Sequence, residues 1–177
     1  PLTYVGPVII SEFMYHPAAP DEEFIELYNM TNLPIALHHA SSLTTTWQLS
    51  DDTAVMFVLP EGIALGPNEC LVIVGQGVDP AAFRARCNIP ANVPVLGPCT
   101  RGLGNKNDAV RVWRPQDLTG TYVLVDQVFY SDAAPWPTEA DGGGPSLERS
   151  IPFAFGNVAS SWHASSNVGG TPGRVVP

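Results

Sequence analysis

Short apolar runs separated by turn-forming residues recur along the whole chain. Most runs contain Val, Ile, Phe, Tyr or Trp, and Pro, Gly, Asn or Asp bound them, a pattern typical of β-strands. They predict nine strands, at residues 5–16, 22–29, 33–38, 45–51, 55–60, 69–75, 108–115, 122–131 and 145–150. Strands at this spacing favour an antiparallel sandwich or barrel. We therefore predict an all-β fold.

The long connection at residues 76–107 contains the one predicted helix. In DPAAFRARC, Asp79 is placed to cap the helix, and Pro80 suits its first position. The insertion is longer than an ordinary hairpin loop, so it either determines binding specificity or is a loop packed on the surface of the domain. Residues 151–177 are predicted to form an extended tail. Three aromatic residues are expected to anchor this tail along the sandwich: Phe153, Phe155 and Trp162.

The length and composition indicate one domain spanning residues 1–177, because 45 % of the residues are hydrophobic and can form a sizeable core. Eight basic against 17 acidic residues give a net charge of −9, which argues against binding to nucleic acid or anionic membranes. No apolar run reaches the roughly 20 residues of a membrane span, so we expect no membrane insertion. The chain begins at Pro1, which indicates a processed chain or part of a longer one with neighbouring domains.

The three cysteines raise the question of a disulfide. Cys70 suits a buried strand position within ECLVIVG. Cys87 and Cys99 flank the proline-rich stretch NIPANVPVLGP and are either a disulfide that closes this loop or two free thiols. A bridge would indicate an extracytoplasmic protein.

Two glutamates occupy strands that are otherwise mostly apolar. The alternation of side chains places Glu12 on the face of Val8 and Ile10, and Glu26 on the face of Phe24. Two acids on adjacent strands could act as a general acid and base. We favour a structural interpretation, a buried ion pair between Glu26 and Arg149 of the strand SLER, because a buried charge needs a partner.

Other catalytic and metal patterns are weak. No G-x-S-x-G, C-x-x-C or H-E-x-x-H spacing occurs, which argues against a nucleophilic triad and a zinc site. Acidic loops leave calcium open as a ligand, with Asp21, Glu22 and Asp141 as the candidate residues and surface solvation as the alternative. No other cofactor is expected.

An ordered series of segments resembles the lamin tail domain family. The series runs through VIISEFMYHP, EEFIELYNMTNLPIAL, WQLSD, LPEGIALGPNECLVIVG, LGNKNDAVRV and DQVFYSDAAPWPTEADGGGPSLER. The closing WHASSNVGGTPGR resembles the end of the family's bacterial members. The match covers nearly the whole chain apart from residues 76–102.

The resemblance implies an immunoglobulin-like β-sandwich without a catalytic centre. In nuclear lamins such a domain engages proteins and chromatin, whereas the bacterial relatives resemble accessory modules of exported, multidomain proteins. The absence of a basic patch argues against a nuclear role and DNA contact. We expect a non-catalytic binding or structural module of an exported bacterial protein, located outside the cell or on its surface, with a protein or cell-surface ligand as its partner. Two alternatives remain: a hydrolase that uses Glu12 and Glu26 or an acidic-loop metal, and a calcium-stabilised spacer.

Overall fold

The computed structural model describes residues 6–174 and confirms an all-β fold. Val5, at the start of the first predicted strand, and residues 175–177 of the predicted tail lie outside this range. The strands are β1 (Val8–Met14), β2 (Phe24–Asn29), β3 (Ile35–Ala36), β4 (His38–His39), β5 (Ser42–Thr46), β6 (Gln48–Ser50), β7 (Val55–Val58), β8 (Ala64–Leu65), β9 (Cys70–Val74), β10 (Val95–Leu96), β11 (Asn107–Pro115), β12 (Tyr122–Ser131), β13 (Pro145–Arg149) and β14 (Trp162–Val168). One α-helix, α1 (Pro80–Cys87), and two short 3-10 turns, Thr138–Ala140 and Ala159–Ser161, complete the described elements. None of the described helices is long and apolar enough to cross a bilayer.

Two sheets form an immunoglobulin-like β-sandwich, as predicted. The larger has six strands in the order β10-β9-β2-β1-β13-β14, and the smaller has four in the order β12-β11-β6-β7. Every pair is antiparallel except the short β10–β9 pair. Strand β14 was not predicted, because its sequence WHASSNV is mostly polar. It is an edge strand, where only one side of the chain needs to pair.

The main core lies between the two sheets and is rich in aromatic rings. Phe13 sits at its centre, with the rings of Tyr130 and Trp162 each 5.1 Å away. Trp162 is buried, as its predicted role as an anchor requires. The predicted anchoring by Phe153 and Phe155 is wrong, because these side chains are 72 % and 44 % exposed.

The insertion packs on the outer face of the six-stranded sheet. Helix α1 begins as predicted: the Asp79 side chain accepts a hydrogen bond from the Ala82 amide at 2.7 Å, and Pro80 occupies the first turn. Its buried Phe83 contacts Phe24 of β2, with ring centroids 5.7 Å apart, in a second apolar cluster. This cover explains why all five residues of β9 are buried, since the strand faces apolar surroundings on both sides.

Shortening Phe83 is expected to loosen the insertion without disturbing the sandwich. Phe83→Leu removes part of a fully buried ring, and we expect a loss of about 1 kcal/mol in the free energy of unfolding, measured by urea denaturation. Phe153→Leu is the matched control, since its side chain is 72 % exposed, and should change stability by less than about 0.5 kcal/mol. Equal effects for the two variants would contradict the packing role of Phe83.

A β-bulge in β1 changes which residues face the core. Ile10 pairs with Leu27 and Glu12 pairs with Glu26, so Ser11 is the extra residue on β1. Val8 and Ile10 lie in the main core before the bulge, and Phe13 lies there after it. The prediction that Glu12 shares the face of Val8 and Ile10 is therefore wrong. The bulge turns Glu12 to the outer face of the sheet.

Candidate functional site

Three glutamates form a row across adjacent strands of the six-stranded sheet. Glu12 on β1 lies directly opposite Glu148 on β13 at one side and Glu26 on β2 at the other. All three are buried, with exposures of 2 % for Glu12, 8 % for Glu148 and 1 % for Glu26. We call these residues the glutamate row. Sequence reasoning identified Glu12 and Glu26 as neighbours but missed Glu148, which the alternation of side chains in SLER turns to the opposite face from Arg149.

Residues 169–174, here named the strap, cross the outer face of the sheet above the row. The Thr171 amide donates to Glu12 Oε1 at 2.7 Å, and the Gly173 amide donates to Glu26 Oε2 at 2.8 Å. From the sheet itself, Ser146 Oγ donates to Glu12 Oε1 at 2.5 Å and Ser11 Oγ donates to Glu26 Oε1 at 2.6 Å. The residues GGTPGR thus bind the carboxyl groups through their backbone.

The strap requires glycine at two positions. Gly170 and Gly173 have positive φ angles of +74° and +79°, which L side chains rarely adopt. A Cβ atom on Gly170 would meet the Glu12 carboxylate, and one on Gly173 would lie 2.6 Å from Ile89 Cγ2. The glycines therefore allow the backbone to approach both the glutamate row and the insertion closely.

One hydroxyl group between two carboxyl groups indicates that the row holds a proton. Thr171 Oγ1 lies 3.1 Å from Glu12 Oε2 and 2.9 Å from Glu148 Oε1. A hydroxyl has a single proton, so Thr171 Oγ1 can donate to only one of these two oxygens. At the other contact Thr171 Oγ1 accepts a hydrogen bond, which requires the carboxyl group there to be protonated. Burial, with the added repulsion of Glu26, raises the pKa of Glu12 from 4.5 to about 8. Burial also raises the pKa of Glu26.

The row forms the floor of a cavity of about 230 Å³. At its rim, His163 Nε2 lies 3.1 Å from Glu148 Oε2, and His163 Nδ1 lies 2.8 Å from Ser150 Oγ. With these contacts, all six carboxyl oxygens of the row have partners within the chain. A general acid or base needs an oxygen that can reach a substrate. The geometry therefore suits a structural role, in which the glutamate row attaches the strap to the sheet, better than a catalytic pair.

Arg149 does not pair with Glu26, and the predicted ion pair is wrong. Its Nη1 lies 2.5 Å from Asp126 Oδ2 of β12, and its Nη2 lies 3.4 Å from Asp126 Oδ1. Arg149 is adjacent to Glu148 on β13, so its side chain faces the other sheet, whereas Glu26 faces outwards. The sequence held a signal for the true partner, because Asp126 is the only acidic residue in the apolar strand YVLVDQVFYS.

The Arg149–Asp126 ion pair joins the two sheets in the protein interior. The Arg149 side chain is 1 % exposed and that of Asp126 is 5 % exposed. Arg149 also donates to the carbonyl oxygens of Ile10 and Ala154, and its guanidinium lies 5.6 Å from the Trp162 ring centroid. Asp126 Oδ2 also accepts from the Ile10 amide at 2.9 Å. The pair therefore connects β1, β12, β13 and the segment after β13.

A family model described as the lamin tail domain matches residues 2–132, well over half of the chain. The chain belongs to the lamin tail domain family. The resemblance seen in the sequence is confirmed, and the immunoglobulin-like fold is that of the family. A comparison with curated proteins finds no match.

The lamin tail domain family is a family of non-enzymatic immunoglobulin-like domains, in keeping with a structural or interaction module. The matched range contains Glu12, Glu26 and Asp126 but ends before β13. Glu148, Arg149 and the strap therefore lie beyond the residues that the family model matches. The contacts between the glutamate row and the strap therefore join the matched part of this lamin tail domain to the segment that follows it.

Of the two alternatives for Cys87 and Cys99, the structure shows two free thiols, and Cys70 of this lamin tail domain is free as well. Cys87 ends helix α1 and packs against the outer cluster, whereas Cys99 lies in the main core between the sheets. The sheet separates the two thiols. Burial raises the pKa of Cys99 to about 12, so this thiol is unreactive at neutral pH.

The three calcium candidates do not form one cluster, and two of them have partners. Glu22 forms an ion pair with Arg86, and Asp141 Oδ1 lies 2.6 Å from His16 Nδ1. Asp21 lines a surface depression with Arg86. Within residues 6–174, no three side chains among His, Cys, Asp and Glu are grouped so that they could hold a metal ion. The lamin tail domain therefore offers no assembled calcium site in this part of the chain.

Proposed function

We propose that this lamin tail domain is a non-catalytic binding and structural module of an exported bacterial protein, with a protein or cell-surface component as its ligand. The observation that carries the proposal is the glutamate row, since all six of its carboxyl oxygens are engaged by the chain itself. The acidic groups that could have formed a catalytic pair instead attach the strap to the sheet. The family of non-enzymatic domains supports the same conclusion.

The location outside the cell rests on the likeness of WHASSNVGGTPGR to the end of bacterial members of the family. The net charge of −9 supports a ligand other than nucleic acid or an anionic membrane. As a module of a larger protein, the domain would present its surface to a ligand while neighbouring domains carry out any chemistry.

Binding and hydrolysis can be separated with the variant Glu26→Gln. We expect the purified chain to bind saturably to bacterial envelope proteins or to members of a glycan array, and to show no turnover in a hydrolase panel. Glu26→Gln should bind equally well and unfold within about 1 kcal/mol of the parent chain, because its amide can donate to Ser11 Oγ while its carbonyl accepts from Gly173.

The opposite outcomes would reject the proposal. A hydrolytic activity that disappears in folded Glu26→Gln would establish the enzyme. The absence of any ligand across the envelope fractions and the array would remove the binding function. Glu61→Gln serves as the control for the loss of one negative charge, because Glu61 is exposed in the turn after β7.

A further inference from the structure

The two main sheets end in four edge strands, and β12 is the longest of them. It has 10 residues, compared with seven in β14, four in β7 and two in β10. The edge of β7 is covered, since the Thr100 amide donates to the Met56 carbonyl at 2.9 Å. Strand β14 carries mainly polar side chains. The first half of β12, with the sequence YVLV, has neither a charge nor a proline to block pairing with another strand.

A second segment of the chain covers only the later half of this edge. Asn157 Oδ1 accepts from the Phe129 amide at 2.9 Å, and Gly156 packs against the Gln127 carbonyl. Within the described part of the chain, no backbone hydrogen bond joins residues 122–126 to any element other than β11. Val125 is the extra residue of a β-bulge, because Val112 pairs with Asp126 and Trp113 pairs with Leu124, and the regular ladder of β12 is interrupted there. The outward backbone groups of residues 122–124, before the bulge, are available to an added strand.

A groove of about 670 Å³ follows this free edge. Five consecutive residues of β12, 123–127, line it, which means that the groove runs along the strand rather than over one face. Gly6 and Pro7 also line it, and Phe155 stands at the end where the chain covers the edge. Leu124 is 38 % exposed and Phe155 is 44 % exposed, so the groove offers apolar side chains beside unpaired backbone.

The charge in the groove indicates the kind of partner. Arg114 and Asp126 are the two charged residues that line it. Asp126 is neutralised by Arg149, whereas Arg114 is exposed and forms no ion pair within residues 6–174. The groove thus carries one positive charge, at Arg114, which favours a carboxylate of the ligand at this position. A second copy of the chain would bring another Arg114 to this edge, so self-association through it is disfavoured.

We propose that the free edge of β12 is the docking groove of this module for an extended acidic segment of a partner polypeptide. The segment would add to the four-stranded sheet as a further strand beside residues 122–124, with one apolar side chain against Leu124 and Phe155 and a carboxylate near Arg114. This inference rests on the proposed binding function and specifies where and what the module binds.

The first test uses an acetylated, amidated heptapeptide of alternating valine and glutamate, titrated into the ¹⁵N-labelled chain. We expect chemical-shift changes at residues 122–127, Arg114 and Phe155. A peptide with lysine in place of glutamate should bind more weakly. The same acidic peptide methylated on alternate backbone nitrogens should lose binding, because it cannot donate to β12. Shifts located elsewhere, no shifts at millimolar peptide, or full binding by the methylated peptide would each overturn the proposal.

Two variants locate the interaction, each with a matched control. Arg114→Glu should lower the affinity for the acidic heptapeptide about fivefold. Lys106→Glu changes the net charge equally at an exposed site and should leave this affinity unchanged. Leu124→Lys should also weaken binding, while Leu43→Lys, at a side chain 60 % exposed on β5, should not. Equal losses in a variant and its control would overturn the assignment of the groove.

The inference and the proposed function can fail separately. If an envelope protein or glycan binds the parent chain and binds Arg114→Glu and Leu124→Lys equally well, the module has a ligand but the groove is not its site. If no envelope component binds while the acidic heptapeptide docks on β12, the groove exists, and the proposal of an envelope ligand fails.

Discussion

Asp126→Ala is expected to lower the free energy of unfolding by about 3–5 kcal/mol. Its removal would leave the Arg149 guanidinium charged, with a side chain only 1 % exposed, and without its counterion between the two sheets. The Ile10 amide would lose its acceptor as well. Urea denaturation followed by circular dichroism measures the loss.

Two further variants test whether the loss of stability comes from the unpaired charge of Arg149. Asp52→Ala removes the partner of Arg111 at a side chain 60 % exposed, and should cost no more than about 1 kcal/mol. The double replacement Asp126→Leu with Arg149→Met removes both charges and should recover most of the stability lost by Asp126→Ala. A stability of Asp126→Ala within about 1 kcal/mol of the parent chain would contradict a structural role for the pair.

The second large effect is a loss of stability as the pH rises from 5 to 8. The pKa of Glu12 is raised from 4.5 to about 8, so in this window the folded chain holds a proton that the unfolded chain has released. The free energy of unfolding then falls as the pH rises, by up to about 1.4 kcal/mol per pH unit from this group. The raised pKa of Glu26 acts in the same direction. Thermal or urea unfolding at a series of pH values measures the slope.

Glu12→Gln should remove most of this slope and stabilise the domain at pH 8 by about 3 kcal/mol. The glutamine resembles the protonated acid: its carbonyl accepts from Ser146 and Thr171, and its amide donates to Thr171 Oγ1, whose proton then goes to Glu148. Glu61→Gln, at an exposed site, should keep the parent slope. A Glu12→Gln variant that is less stable at pH 8 would show that Glu12 is ionised in the folded chain.

Local patterns were sufficient to predict most of the large elements. The period of two located the strands that became β1, β2, β9, β11, β12 and β13, and a capping aspartate followed by proline located α1. The very short strands were not predicted separately, because two residues carry no detectable period. The polar strand β14 was missed because it pairs at an edge, where the sequence does not need to be apolar.

The candidate site was predicted only in part. Glu12 and Glu26 were expected on adjacent strands, and they lie directly opposite each other. Their common face depends on the bulge at Ser11, which shifts the alternation by one residue and has no signature in the local sequence. The partner of Arg149 was missed for a related reason: a strand pattern tells which residues share a face but not which strand of the other sheet lies across the core.

The alternating strands, the capped helix, the acidic surface and the ordered segments of a lamin tail domain can all be read from the sequence. The partners of the buried charges depend instead on the tertiary fold. Asp126 meets Arg149 across 23 positions of sequence, and Glu26 meets Gly173 across 147. A strand's own period is a local property of the backbone, whereas a buried charge selects its partner from whatever the packing of distant strands brings within hydrogen-bonding distance.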